Sequence, residues 1–507
     1  MSVVLLILQW HETQRQIFGR SLLQIWKNVF ILLGMKWYCV SILMLFATLS
    51  WSQYILVSEG LEVRTDRTYE LLGHYSDKYM VLSYGTNVFS IHNYDQNLFL
   101  TSTQEFELPD RRCRIIHAYP FENRFFVLYT TEKQDTIYVV NQSYHSNFEK
   151  IKTDTVMALQ KGFQNYTFRY TFSEDKSKLG LSAVRSNEVS HYLVYDVEYE
   201  EVVQSGGLLL SDFDFYEEYR KSLVTNSGIF YLIFERNNFS YRRDDHAFFI
   251  YKFRDSGEQE ESILPMKTLL TYDAHFLYDN RNNKLVICGL GSEKNLNQAE
   301  MIFQVRQDPK DPDYFEYATF VFHNNLLNDF YGKDRRTKLD YLEDIQIQDV
   351  VLMDDGSSIL ILEEVQKMER MTSSGRIDYY GSRFTVDYHY ENLLLFHLSN
   401  SEGKSWQKLL PKRQFSNDDD GAYSSYFLFK NPNHLRLIYN DEIRNENTVS
   451  EYIIRSNGAS LRTNLLSTDF QKLRLQVRNG MQISSHGILI PSIRGKVLKI
   501  LLIDYLN

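Results

Sequence analysis

Several groups of residues in this chain have types that could do chemistry. Lys412, Arg413 and Gln414 follow Pro411, and a run of acids, Asp418, Asp419 and Asp420, comes shortly after and ends in Gly421. Asn440 and Asp441 follow further along. Cations beside carboxylates in loops can hold a polar ligand, or they can simply pin two elements together through salt bridges. Both readings stand at the level of sequence. The run 417–421 also invites a calcium reading. An EF-hand would need ligands at its first and twelfth positions, which here hold Ser416 and Phe427, so that loop type is excluded. A solvated acidic turn is expected, with some other calcium loop as the alternative. No cofactor is otherwise expected. Cleavage of a polysaccharide would need an acid and a base, for which Asp418 or Glu363 are candidates. No G-x-S-x-G elbow, P-loop or H-E-x-x-H motif occurs. Histidines such as His74, His246, His389 and His486 are scattered. The cysteines, Cys39, Cys113 and Cys288, have no zinc spacing, and a Cys113–Cys288 disulfide has no support in the pattern. No catalytic residue is assigned.

The elements that must position these residues read as strands. Tyr and Phe occur 36 and 33 times against only 8 Pro, a bias that suits pleated, half-buried surfaces, with most rings expected between sheets. Short apolar or alternating runs recur, for example 125–129, 192–195, 229–234, 248–253, 359–362 and 393–398, with almost no helical periodicity. Asp354-Asp355-Gly356, Asn226-Ser227-Gly228, Asn457-Gly458 and Asn479-Gly480 supply turn residues that tolerate positive φ. The strands group in fours. First strands are expected near Tyr69, Arg114, Thr167, Ser222, Ala274, Gln346, Ser425 and Met481, a spacing that matches propeller blades. The expected fold is therefore all-β: a single β-propeller of four-stranded blades, eight rather than seven. The last unit supplies only about three strands, and segment 54–63 is expected to complete it and remove free sheet edges. A two-domain β-sandwich is the structural alternative.

The N-terminal region has a different character. Met35 and Lys36 open a short segment whose apolar stretch, 40–49, ends at Ser50-Trp51-Ser52, a signal-peptidase pattern with Gln53 as first mature residue. The apolar stretch is shorter than the roughly 20 residues a transmembrane helix needs. The expected organisation is an upstream extension at 1–34, read as a wrongly assigned start, a signal peptide at 35–52 and the propeller at 53–507. The protein is thus expected to be exported, periplasmic or extracellular, with no transmembrane span after signal removal. The net charge of −10 argues against nucleic acid as a partner, since basic groups such as Arg111-Arg112 and Lys333 to Arg336 are short and mixed with acids.

Two resemblances follow from motifs. The run 399–406, which includes Ser401, Glu402, Gly403, Lys404, Ser405 and Trp406, resembles the Asp-box of sialidases and related propellers, with Ser401 in place of its central Asp. That box implies a fold element and no activity. The stretch 341–447 resembles a family of uncharacterised secreted proteins of Bacteroidota. The matching pieces are 344–350, Asp355-Gly356, Glu363-Glu364, 406–408, Pro411 to Gln414, Ser424-Ser425 and Asn440-Asp441, with 385–390 a looser match. This resemblance implies export and no known activity.

In a propeller, links between blades and second-to-third strand links emerge on one face, and the other two kinds of link on the opposite face. The long insertions 324–340, 366–383, 411–421 and 441–447 are all assigned to the first face. The tight turns 354–356, 400–403 and 431–433 are assigned to the second. Loops on a rigid scaffold commonly carry function. Lys412, Arg413, Gln414, Asp418, Asp420, Asn440 and Asp441 are therefore expected as a binding patch on the first face. The functional expectation is an exported binding or scaffold module of the cell envelope, whose partner is an envelope protein or glycan. The alternative is a propeller-type polysaccharide hydrolase or lyase.

Overall fold

The apolar runs become strands that are covered on both faces. Lys178–Arg185 is buried from Leu179 to Val184, and Lys284–Ser292 is buried from Leu285 onward. Strands packed front and back read as continuous apolar segments rather than as an alternation. The outermost strands are different. Leu100–Glu107, with Thr101, Ser102, Thr103, Gln104 and Glu105, is exposed along most of its length.

The computed structural model describes residues 53–505 except 76, 187, 209–212, 255–256, 333–338, 378–382, 400–404, 442, 444–447 and 469–471, with backbone alone at 190 and 372–377. The described strands form eight antiparallel sheets. Blade 1 comprises Thr68–Tyr75, Lys78–Tyr84, Val88–Tyr94 and Leu100–Glu107, and blade 2 comprises Arg114–Phe121, Arg124–Lys133, Thr136–His145 and Lys150–Gln160. Blade 3 is Thr167–Phe172, Lys178–Arg185, Glu188–Asp196 and Glu201–Gly207. Blade 4 is Tyr219–Val224, Phe230–Arg236, Ala247–Phe253 and Gln259–Pro265. Blade 5 is Leu270–Asp279, Lys284–Ser292, Met301–Gln307 and Phe315–Val321. Blade 6 has Ile345–Leu352, Ser358–Ile377, Arg383–Leu398 and Trp406–Leu410, with Gln414–Asn417 as an added strand. Blade 7 is Phe427–Asn431, His434–Asn440, Thr448–Arg455 and Ser460–Ser467.

First strands of consecutive blades adjoin one another, as Thr167–Phe172 does Tyr219–Val224, and Tyr219–Val224 does Leu270–Asp279. They are the inner strands. Apolar side chains fill the seams. Phe89 and Ile91 of blade 1 meet Phe125 and Val127 of blade 2, and Phe230 and Leu232 of blade 4 meet Tyr192 and Val194 of blade 3. Between blades 6 and 7 lie Ile359, Ile361, Leu437 and Tyr452. Tyr75, Tyr94, Phe125, Phe126, Tyr231 and Phe234 are among the largest fully buried side chains, so these aromatic residues do pack between sheets.

The ring closes as expected. Blade 8 runs Met481–Gln482, Gly487–Arg494 and Val497–Tyr505, with Gln53–Val57 as its outer strand, and Leu61–Glu62 also pairs with Val497–Tyr505. Ser58 N donates to Ile500 O at 2.9 Å, and Ile500 N donates to Ser58 Oγ at 2.8 Å. Leu489, Leu498 and Ile500 then pack on Tyr79, Val81 and Tyr94 of blade 1. Eight blades closed by a strand from the other end of the chain exclude both the seven-blade count and the β-sandwich. All eight expected first strands fall within a few residues of the observed ones. The compact unit 55–503 holds the blades. A second unit, 1–54 with 504–507, has described residues only at Gln53, Tyr54, Asp504 and Tyr505. The expected extension and signal segment lie outside the described residues.

Two local expectations change. The insertion 324–340 contains a helix, Asn324–Tyr331, whose Leu326 and Leu327 are buried against the blade 5–6 core. Gly332 ends it at φ 76°, a conformation that favours glycine. Gly228, Gly356 and Gly458 have the positive φ expected of their turns, but Gly480 follows the short helix Val477–Asn479 with φ −65°. Cys113 and Cys288 are free and buried in different seams, so no disulfide joins them.

Candidate functional site

Blade 6 departs from the other seven. Its second and third strands extend far past the first strand's register, which runs from Leu352↔Ser358 to Ile345↔Glu364. They stay paired beyond that point from Val365↔Tyr390 to Ile377↔Arg383, forming a two-stranded arm. At roughly 3.3 Å per residue, the stretch from Glu364 to Met371 alone adds about 23 Å. An isolated hairpin of this kind is marginal in water, and this one is braced. Gln414–Asn417 adds a third strand along Asp387–Tyr390. Val365, Val386, Tyr388 and Tyr390 make a small core at the base, with Phe384 packed against it. Arg370 straddles Asp387 with two hydrogen bonds, the Nη2–Oδ1 one at 2.9 Å. Met368, level with the braced Asp387, is 48% exposed, and Met371, one residue past Arg370, 81%. Val386, Tyr388 and Tyr390 share one face of the strand by its two-residue repeat, and Thr385 and Asp387 on the other face are buried as well.

The residues expected as a binding patch gather at the base of this arm, and much of that patch is closed to solvent. Lys412 and Glu363 both have wholly buried side chains and form an ion pair at 2.7 Å. Lys412 Nζ also donates to Tyr390 O at 3.0 Å and Gln414 Oε1 at 2.8 Å. Burial lowers the Lys412 pKa, against the opposing pull of Glu363. Gln414 Nε2 donates to Asn440 O at 2.7 Å, and Gln414 Oε1 accepts from Ser425 N at 2.7 Å. Asn440 Nδ2 donates to Tyr423 O and Leu475 O. This chain of bonds runs from blade 6 through blade 7 to the link into blade 8. For Lys412, Gln414 and Asn440 the expectation of a solvent-facing patch is therefore corrected: Lys412 locks the base of the arm within blade 6, and Gln414 and Asn440 tie blade 6 to blade 7 and the next link, because buried polar groups must find partners in the protein. Asp441 binds Ser450 and Arg462. Arg413 remains exposed, 3.8 Å from Glu391, and Asp418 and Asp420 are exposed as well.

The acidic turn serves the arm. Asp418 Oδ1 accepts from Val386 N at 3.0 Å, and Asp420 Oδ1 accepts from Tyr388 Oη at 3.1 Å. Asp419 Oδ1 accepts from Ser416 Oγ and Gly421 N. The three carboxylates thus diverge, and among the described residues no group of three His, Cys, Asp or Glu is placed to hold a metal ion. Glu363, the other carboxylate considered for acid–base work, has no exposed surface.

The topology places the long insertions as assigned. The links 324–340 and 411–421 join blades and 441–447 joins second to third strands, while 366–383, assigned as a loop between the same two strands, is paired strand in its described residues. The turns 354–356 and 431–433 join first to second strands on the opposite face, whereas 400–403 lies outside the described residues.

That opposite face holds something the sequence reading did not find. A cavity of about 870 Å³ is walled by the inner strands of blades 3 to 7 and rimmed by their turns, including Glu174, Asn280, Arg281, Asp354 and Asn433. Adjacent turns are laced together: Asn280 Nδ2 donates to Glu174 at 2.9 Å, Asn226 N donates to Asn280 Oδ1 at 3.0 Å, and Arg281 pairs with Asp354. His275 and Asp349 stand beside the lining residues Phe276 and Val350. Tyr426 Oη donates to Asp349 Oδ2 at 2.7 Å, and burial holds the Asp349 carboxyl above its usual range. These residues come from five blades. No spacing within one segment marks them.

No protein-family model and no curated protein matches this sequence. Solved structures do resemble it. The β-propeller domain of the Trilobed protease from Pyrococcus furiosus is 9% identical, with TM-score 0.36, covering 78% of this chain and 98% of that one. The Nup133 β-propeller domain of Vanderwaltozyma polyspora is 10% identical, with TM-score 0.37, covering 77% and 99%. A protein of unknown function from Bacteroides caccae is 8% identical, with TM-score 0.26, covering 56% and 82%. At such identities no residue's role carries over, so the chemistry rests on this chain's own geometry. Among the described residues no helix is long and apolar enough to cross a membrane.

Proposed function

We propose that this chain is an exported binding module of a bacterial cell envelope, a member of the secreted Bacteroidota family it resembles, and that it holds an envelope protein through the blade 6 arm. The observation that carries this reading is an arm braced at its base yet open beyond it. Arg370, Asp387, Asp418, Asp420 and the strand Gln414–Asn417 hold it in place, while Met368 and Met371 stay exposed. Methionine is flexible and polarizable, which suits a protein surface better than a glycan's hydroxyls. A braced element also loses little entropy on binding. Export fits the same picture, because cleavage after Ser52 leaves Gln53, the first residue of the strand Gln53–Val57, in the mature chain.

The test compares envelope extracts passed over the immobilised wild-type protein, a Met368→Ser/Met371→Ser variant and an Arg281→Gln control. A protein retained by wild type and control but lost from the arm variant, with unchanged melting, supports the reading. Equal retention by all three, or no specific protein, overturns it. N-terminal sequencing of the secreted form tests export separately, with Gln53 as the expected first residue.

A further inference from the structure

The central cavity on the face opposite the arm is charged against the trend of the molecule. The whole chain carries a net charge of −10. The cavity nevertheless draws Lys221 from blade 4, and Lys430 and Arg455 from blade 7, into its lining. Among the described residues these three side chains make no hydrogen bond or ion pair. The carboxylates nearby are otherwise engaged. Asp354 pairs with Arg281, Glu174 accepts from Asn280, and Asp355 Oδ1 accepts from Ser357 N at 2.8 Å and from Ser357 Oγ. His434 accepts a hydrogen bond from Arg436 Nε and therefore presents its Nε2 lone pair to a neighbour rather than a proton to the cavity. Lys221, Lys430 and Arg455 thus stand in the lining without an ion-pair partner, while Glu174, Asp354 and Asp355 are held by neighbours at its rim.

The walls between them are apolar, with Leu223, Leu277, Val351, Leu352, Leu435 and Ile454. Unpaired cations set in a low-dielectric wall act on an entering anion more strongly than they would in open water. The volume falls within the range of small-molecule sites, which combine mostly apolar walls with a few placed polar groups.

We infer that the cavity walled by blades 3 to 7 binds a small organic polyanion, with Lys221, Lys430 and Arg455 taking its acidic groups and the apolar wall its body. Carboxylates on an acidic oligosaccharide and phosphates on a small ester present the same charge to these cations. Arginine can grip either in two-point fashion, and lysine can do so as a point charge. This site is independent of the arm, since first-to-second strand turns and the arm's hairpin lie on opposite faces, and both can be occupied together.

Isothermal titration of the full mature chain at low salt, with trigalacturonate and separately with inorganic tripolyphosphate, tests it. Neutral galactotriose serves as control. Binding of trigalacturonate alone assigns carboxylate chemistry, binding of tripolyphosphate alone assigns phosphate chemistry, and binding of both assigns recognition of charge; each supports the inference when galactotriose does not bind. The variant Lys221→Gln/Lys430→Gln/Arg455→Gln changes only exposed side chains and should fold and melt like wild type. It should lose affinity by roughly tenfold or more for each cation that contacts the ligand. Lys150→Gln/Lys310→Gln, exposed lysines elsewhere, should leave binding unchanged. Failure of both anions to bind, or equal binding by the triple variant, overturns the inference.

Discussion

Replacing Lys412 with Met removes one charge from a pair that has no access to water. Its Nζ lies 2.7 Å from Glu363, 2.8 Å from Gln414 Oε1 and 3.0 Å from Tyr390 O, and both side chains of the ion pair have no exposed surface. In the variant, Glu363 keeps the Ser425 hydroxyl as a partner but loses its counter-charge. Orphaning one member of a buried pair costs about 3–5 kcal/mol. The compact unit has roughly 450 residues. At about 2.1 cal/mol/K per residue, its unfolding entropy is about 0.9 kcal/mol/K, so the midpoint should fall by about 3–5 °C. Glu363→Leu alone should cost a similar amount by orphaning Lys412. The double variant Lys412→Met/Glu363→Leu removes both charges and fills the space with carbon. It should recover more than half of the summed loss, giving a coupling of about 3 kcal/mol or more. Calorimetric melting of the four proteins in one buffer measures this cycle. Single variants melting within about 1 °C of wild type, or a double variant equal to the sum of the singles, would refute the assignment of this pair as a buried lock at the base of the blade 6 arm.

Other outcomes follow from the same structure. Burial holds His92 and His117 at about 4, whereas the ordinary value is 6.5. Between those values the unfolded chain binds more protons than the folded one, so stability is full above about pH 6.5, falls as pH drops towards about 4, and levels off below. Urea titrations at pH 7, 5.5 and 4.5 should give a shallower decline for His92→Gln/His117→Gln than for wild type, and identical slopes would contradict this. Deleting residues 53–63 uncovers Val497–Tyr505 as a free edge, so the truncated chain should associate through it; a monomer on size-exclusion chromatography with unchanged melting would count against closure. Gly289→Ala would place its Cβ 2.2 Å from the Phe303 ring and 2.8 Å from Asp273 O. The expected loss is about 1–3 kcal/mol by denaturant unfolding, and a neutral result would show that the inner strand of blade 5 can yield.

The legible parts of this protein are those that a short stretch of chain decides alone. Phe125 to Tyr129 and Phe230 to Phe234 read as strands because both of their faces are covered, and Gly228, Gly356 and Gly458 read as turns because their φ values favour glycine. Counting such runs and turns gives eight blades, and the short last unit points to the N-terminal strand that completes it. The helix Asn324–Tyr331 was harder to see. Its apolar residues, Leu326, Leu327, Phe330 and Tyr331, span only two turns, too few for a periodicity to stand out, although Gly332 marks its end.

The chemistry belongs to the other class. Pro411 to Gln414 stands out in the sequence as a charged, loop-like segment, yet whether Lys412 faces water depends on Glu363, which is distant in the chain and reaches it only when the strands of blade 6 assemble. In the same way Lys221, Lys430 and Arg455 are unremarkable in their own segments, and only the ring brings them to one cavity while their neighbouring carboxylates turn to other partners. Backbone conformation and strand patterning are set by contacts between near neighbours in sequence, so they leave a local signal. The environment of a charge is set by whatever the fold carries next to it, which no local pattern encodes.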